Sequence, residues 1–120
     1  MDLKNNIDNQ RKYLEDNLEQ LNTVISAVIG IKTNLRIDEK INYRKETYFQ
    51  IVDERNIREQ CGAMAAAFKE VTIGSQVFWF EDGVCIVFQF NYQHIDYGTN
   101  GAEFCRVNII DNLVKIKQYN

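Results

Sequence analysis

Tyr92, His94 and Asp96 stand at alternate positions at the end of one extended run, Val84 to Asp96. In a strand such residues point to the same side, with neighbours of one side about 6.5–7 Å apart. That spacing is too long to guarantee a direct hydrogen bond between His94 and Asp96, but it lets them couple through charge or one water. An imidazole whose proton affinity is raised by a carboxylate can serve as a general base. A tyrosine hydroxyl beside it can donate to a developing oxyanion. Tyr92, His94 and Asp96 are therefore the candidate catalytic set. Phe88 and Phe90 precede them on the same side and would form an apolar floor beneath a polar rim. The plainer reading is that His94, the single histidine of the chain, is a locally bonded imidazole near a strand end.

Two further side chains join the candidates for ligand contact. Trp79 lies between Phe78 and Phe80 in an alternating run, so it faces away from the side those two share. It suits either an interface between subunits or a stacking contact with a ligand. Arg106, on the following strand, can pair with Asp96 or Glu103, or bind a substrate carboxylate. Gln89, Asn91 and Gln93 make a neutral polar row on the side opposite Tyr92, suited to a wet sheet-to-sheet contact between two copies of the chain. A homodimer is expected on these grounds.

Several classes of chemistry lack their residues. There is no phosphate-binding glycine loop and no metal-ligand spacing, so no cofactor and no metal site is expected. The formal charge of −3 argues against a polyanion-binding protein, because acidic residues around Lys40, Arg44, Lys45, Arg55 and Arg58 cancel most of their field; no nucleic-acid partner is expected. The first residues are polar, with no apolar leader, and the longest apolar run, Val24 to Ile31, is far too short to cross a bilayer. Cys61, Cys85 and Cys105 are odd in number and embedded in apolar contexts. Reduced, buried thiols in a cytoplasmic protein fit better than a disulfide frame, the alternative being one pair that meets in space.

The elements that must position these residues form a single domain over 1–120, with apolar and charged fractions of 45% and 26% in the ordinary globular range. A long amphipathic helix occupies the segment 1–36, and helical periodicity runs from Met1 to about Thr33. Leu3, Ile7, Leu14, Leu18, Leu21, Ile25 and Val28 form its stripe, Asn17 and Asn22 lie off it, and Gly30 or Asn34 stops it. The stripe packs on the chain's own sheet or serves as a dimer seam. An α+β core follows over 41–119. Asp38 to Lys40 reads as a turn, and Ile41 to Val52 as a short hairpin or edge strand. Asp53 reads as the cap of a second helix whose stripe is Ile57, Cys61, Met64, Ala65, Phe68 and Val71. The small run Gly62 to Ala67 packs closely on the sheet or lines a cavity. From Ser75 onward, β-branched and aromatic runs alternate with turns at Glu81-Asp82-Gly83, Asp96–Gly101 and Asp111-Asn112, the pattern of consecutive antiparallel strands.

The segment from Ile57 to Tyr119, in this order of helix, strand, Asp-Gly turn, long alternating strand, glycine-bearing turn and closing strand pair, resembles the nuclear transport factor 2-like superfamily. Asn112 stands where that pattern usually has glycine, and asparagine tolerates the left-handed conformation such a turn needs. The resemblance implies a curved antiparallel sheet of four to six strands that wraps a cone-like cavity closed by the helices. It also implies either a small apolar ligand in that cavity or a filled cavity with the sheet used for dimerisation. Two functions are therefore expected of different classes. The first is a small-molecule binding domain, extending to an acid–base isomerase, dehydratase or cyclase. The second is a non-enzymatic dimeric interaction module, such as an immunity or antagonist protein, acting through its sheet face and N-terminal helix.

Overall fold

The computed structural model describes residues 2–119, the side chain of Met64 excepted. The expected helix start at Met1 lies outside the described residues. The helix α1 runs from Ile7 to Ile29. Asn6 caps it, its side chain accepting the N–H of Asn9 at 3.0 Å. Gly30 closes it at φ 70°, its N–H donating to the carbonyl of Ser26. That left-handed position explains why the helix stops there and not at Thr33.

The core face of α1 carries Leu14, Leu21 and Ile25, all essentially without exposed surface. Fully burying each is worth about 1.5–3 kcal/mol. Two polar residues share this face. Gln10 is buried and its Nε2 donates to the carbonyl of Leu3 at 2.7 Å, which ties the incoming segment to the helix. Asn17, expected off the stripe, is buried with its amide donating to the carbonyl of Tyr13 at 2.8 Å. Asn22 anchors the exit loop, its Oδ1 accepting the N–H of Leu35 at 2.7 Å.

The sheet is an antiparallel meander. Strands β1 (Arg36–Ile41) and β2 (Thr47–Val52) form a hairpin. The residues expected to turn, Asp38 to Lys40, are strand, and the reversal comes at Asn42 to Glu46. There Asn42 Oδ1 accepts the N–H groups of Arg44 and Glu46 and fixes the turn from within. Strands β3 (Phe68–Trp79), β4 (Gly83–His94), β5 (Gly98–Ile110) and β6 (Leu113–Gln118) pair in sequence order as a second sheet. Asp111 and Asn112 both take positive φ in the last hairpin. The architecture is thus α+β, with a long N-terminal helix, a short second helix and antiparallel sheets of two and four strands that do not close.

The two sheets meet along β2 and β3. Asp53 and Ile73 exchange both backbone hydrogen bonds at 3.0 Å. Asp53 therefore does not cap a helix. Its carboxylate, 1% exposed, accepts the N–H of Asn34 and, from Arg55, the backbone N–H and two guanidinium contacts at 3.0 and 2.7 Å. Burial pushes this carboxyl up, but the Arg55 side chain and the two N–H groups outweigh it and hold it below its ordinary value.

The second helix is a 3₁₀ segment, Arg58–Ala67, broken by Gly62 at φ 67° and ψ −138°. Of the apolar spacing that suggested an α-helix, Ile57 precedes the segment and Phe68 and Val71 belong to β3, which leaves only Cys61, Met64 and Ala65 within it. On the sheet, Val84, Ile86 and Phe88 of β4, with Val107 and Ile109 of β5, face α1 and are fully buried. Together with Leu14, Leu21 and Ile25 they fill the space between helix and sheet.

Candidate functional site

Past Phe88 the inner face of β4 runs out from under the tightly packed core, and its residues from Gln89 to His94 are half-buried. A β-bulge sets the change. Phe88 pairs with Cys105 and Gln89 with Glu103, leaving Phe104 as the extra residue of β5. The bulge brings Phe104 inward onto Phe90, the rings stacked at 4.3 Å. From there an aromatic series continues along the strand. Phe90 lies 6.0 Å from Tyr92, Tyr92 stacks on Phe68 at 4.5 Å, and Phe68 meets His94 edge-on at 5.8 Å.

Three elements leave a cleft beside this series. Ile29 ends α1 and Ile31 follows its Gly30 cap, Gln60 and Cys61 come from the 3₁₀ segment, and Phe90 and Tyr92 from β4. Its volume is about 230 Å³. No charged side chain is among these six residues, so a charged ligand would lose its hydration there without a partner. The polar groups are the Gln60 amide, the Cys61 thiol and the Tyr92 phenol. Burial raises the Tyr92 hydroxyl above its ordinary value, and the nearby Cys61 raises it further. Burial likewise raises the Cys61 thiol, which donates to the carbonyl of Ile57 at 3.4 Å. Both groups are therefore protonated near neutral pH. Tyr92 can donate a hydrogen bond, Gln60 can donate and accept, and neither the thiol nor the phenol is poised as a nucleophile or base.

The candidates named from sequence separate into distinct places. Phe90 and Tyr92 come together at the cleft. Phe88 is fully buried in the core behind it. His94 lies next in the aromatic series but does not line the cleft, and Asp96 sits in the exposed turn after β4. The two are joined through the backbone, where the N–H of Asp96 donates to His94 Nδ1 at 3.0 Å; the Asp96 carboxylate forms no hydrogen bond to the imidazole among the described residues. Arg106 is exposed on the outer face, in the row of Val87.

Trp79 lies at the other end of the molecule and on the inner face, reversing the expected sides. It pairs in register with the buried Val84 and meets Tyr13 of α1 edge-on at 6.4 Å. Phe78 and Phe80 face outward and are exposed. The presence of α1 over that end decides the matter, because a helix ring can cover only one side of the strand. Gln89, Asn91 and Gln93 do lie on the outer face, opposite Tyr92.

Ile29, Ile31, Gln60 and Cys61 were not anticipated as lining residues. The signal in the sequence was the widening of the apolar pattern after Leu21 and the small-residue run around Gly62. Among the described residues, no three His, Cys, Asp or Glu side chains converge on a metal position. No helix is long and apolar enough to cross a membrane. Compared with protein-family models, curated proteins and solved structures, the chain matches none.

Proposed function

We propose that this chain is a small-molecule binding domain of the nuclear transport factor 2-like kind, and that the cleft over Phe90 and Tyr92 takes a small, uncharged, largely apolar ligand. The observation that carries the reading is a cleft walled by two isoleucines and two aromatic rings, with hydrogen-bonding groups and no charge. At about 230 Å³ it suits a compact ligand. The function is one of binding. A general base built from His94 and Asp96 finds no support in the geometry, because the imidazole is engaged by a backbone N–H and both residues lie outside the cleft. Three free thiols, two of them buried, support the cytoplasm as its compartment.

A thermal-shift titration with naphthol and its charged counterpart naphthoate tests the proposal. Naphthol at a hundred times its dissociation constant should stabilise the protein by about 2.7 kcal/mol, and naphthoate by much less. The Ile31→Trp variant, which fills the cleft, should abolish the shift. Equal shifts for the two probes, or a shift unchanged in Ile31→Trp, would sink the reading.

A second reading rests on the outer face of the sheet. Phe78, Phe80, Ile110 and Leu113 are all exposed at one end of that face, Leu113 by 64%. Clustered exposed apolar residues mark interaction surfaces. We read this face as the contact of a homodimer, with the Gln89–Asn91–Gln93 row as its wet part. Of the α1 stripe, Leu14 and Leu21 are spent inside the protomer and Leu18 is half-buried, so the sheet face is the surface we assign to the contact. Sedimentation at tens of micromolar should show a dimer that Leu113→Lys converts to monomer; a monomeric wild-type protein would end this reading.

A further inference from the structure

A second, larger cleft of about 430 Å³ opens at the opposite end of α1, within the size range of pockets that hold small organic ligands. One wall is the segment leading into α1, with Lys4 and Asn5, together with Ile7 and Gln10 of its first turns. The facing wall is the β1–β2 hairpin, with Asn42, Glu46 and Tyr48 among its residues. Val77 and Trp79 of β3 lie between them.

Both walls are held in place before any ligand arrives. The buried Gln10 amide grips the carbonyl of Leu3, and the N–H of Leu3 donates to the carbonyl of Glu81 at 3.2 Å. Lys4 follows directly from that anchor. On the other side Asn42 fixes Glu46 twice. Its Oδ1 accepts the Glu46 N–H at 3.0 Å, and its own N–H donates to the Glu46 carbonyl at 3.0 Å. Preorganised walls spare a ligand the entropy of ordering them.

The chemistry of the lining is unlike that of the uncharged cleft. Trp79 and Tyr48 offer two aromatic surfaces, and one cation and one carboxylate stand on separate walls. Among the described residues neither Lys4 nor Glu46 is engaged in an ion pair. We propose that this cleft binds a dipolar aromatic solute, an aromatic amino acid or short peptide with both termini free, its carboxylate toward Lys4, its ammonium toward Glu46 and its ring on Trp79 and Tyr48. Placement of the two charges on different walls favours the peptide, whose termini are farther apart.

Trp79 is the sole tryptophan of the chain, so its emission reports this cleft alone. The probes are glycyl-phenylalanine, phenylalanine and doubly blocked N-acetyl-phenylalanine amide, none of which contributes indole fluorescence. Saturable change in Trp79 emission is expected with the free-terminus probes, at an affinity at least about fivefold above that of the blocked one, the scale of exposed charge contacts. Tighter binding of glycyl-phenylalanine than of phenylalanine identifies peptides as the source of the ligand, and the reverse order identifies free amino acids. With phenylalanine amide and N-acetyl-phenylalanine as singly blocked probes, Lys4→Gln should erase the advantage of a free carboxylate over its amide, and Glu46→Gln that of a free ammonium over its acetylated form. Both positions are exposed, so their substitution should change stability little. No saturable change with any probe, equal affinity for free and blocked probes, or indifference to both substitutions would overturn the proposal.

Discussion

Ser75 Oγ donates to the carbonyl of Ile51 at 2.7 Å and accepts the N–H of Ile51 at 2.8 Å, so one hydroxyl takes the place of a ladder rung between the two sheets. Both residues are buried. Replacing Ser75 by alanine leaves a buried N–H and a buried carbonyl without partners, each costing about 1–3 kcal/mol. Ser75→Ala should therefore lower stability in urea by about 2–4 kcal/mol, reduced where water reaches the gap. A loss below about 0.5 kcal/mol would mean that the hydroxyl does not join the sheets.

Asp53 sets a pH dependence. Its carboxyl lies below the ordinary value in the folded protein, so its contribution is fully present above the unfolded value of about 3.9 and is lost as pH falls through the lower folded value. Stability should drop in that acid window. Asp53→Asn should flatten the drop while lowering stability at neutral pH, checked by urea melts between about pH 2 and pH 7. An acid profile identical to wild type would contradict the assignment.

The three thiols should differ in reactivity. Cys85 and Cys105 are buried, and burial pushes Cys105 up to about 11. Cys61 is half-buried at the uncharged cleft. A thiol reagent at pH 8 should label Cys61 first and the other two only on unfolding. Naphthol should slow the Cys61 reaction specifically, since the ligand would cover it. Rapid labelling of all three in the native protein would be inconsistent with the fold.

His94 and Tyr92 should separate cleanly. His94 packs against Phe68 and Tyr97 and is absent from the cleft lining, so His94→Ala should cost about 0.5–1.5 kcal/mol and leave naphthol affinity unchanged. Tyr92→Phe keeps the ring and removes the donor, and should weaken naphthol binding by about three- to tenfold with little change in stability. A large affinity loss in His94→Ala would restore the imidazole to the site.

The C-terminal strands were legible because their code is local. Alternation in Val84 to His94 and the Asp-Gly and Asp-Asn turns specify β4, β6 and the end of β5. Strand β5 begins at Gly98, inside the stretch Asp96–Gly101 that reads as a turn, because Gly98, Asn100 and Gly101 carry turn chemistry although they pair with β4. The 3₁₀ segment was not legible, since one glycine at positive φ breaks a spacing that otherwise reads as α-helix. The beginning of β3 was hidden by Lys69, Glu70 and Gly74, which weaken a strand signal. Gln10 and Asn17 carry no sequence mark of burial, because each is satisfied by a carbonyl that only the folded backbone supplies. The same divide runs through the uncharged cleft. Phe90 and Tyr92 follow from alternation along one strand, whereas Ile31, Gln60 and Cys61 reach it only through tertiary closure.

The order of pairing also shapes how the chain reaches its fold. Each strand of the second sheet pairs with the next one along, so these hairpins can zip locally once made. Helix α1 meets only the edge formed by β1 and β2 among the strands that directly follow it. Its core face is completed by β4 and β5, and the latter ends at Ile110. At a synthesis rate of about 5–20 residues per second, the interval between Ile25 and Ile109 lasts roughly 4–17 s. Throughout that time Leu14, Leu21 and Ile25 have only part of their core partners, those of β1, β2 and β3. The chain's need for chaperones, and its exposure to proteases, should therefore peak before its last hairpin is made.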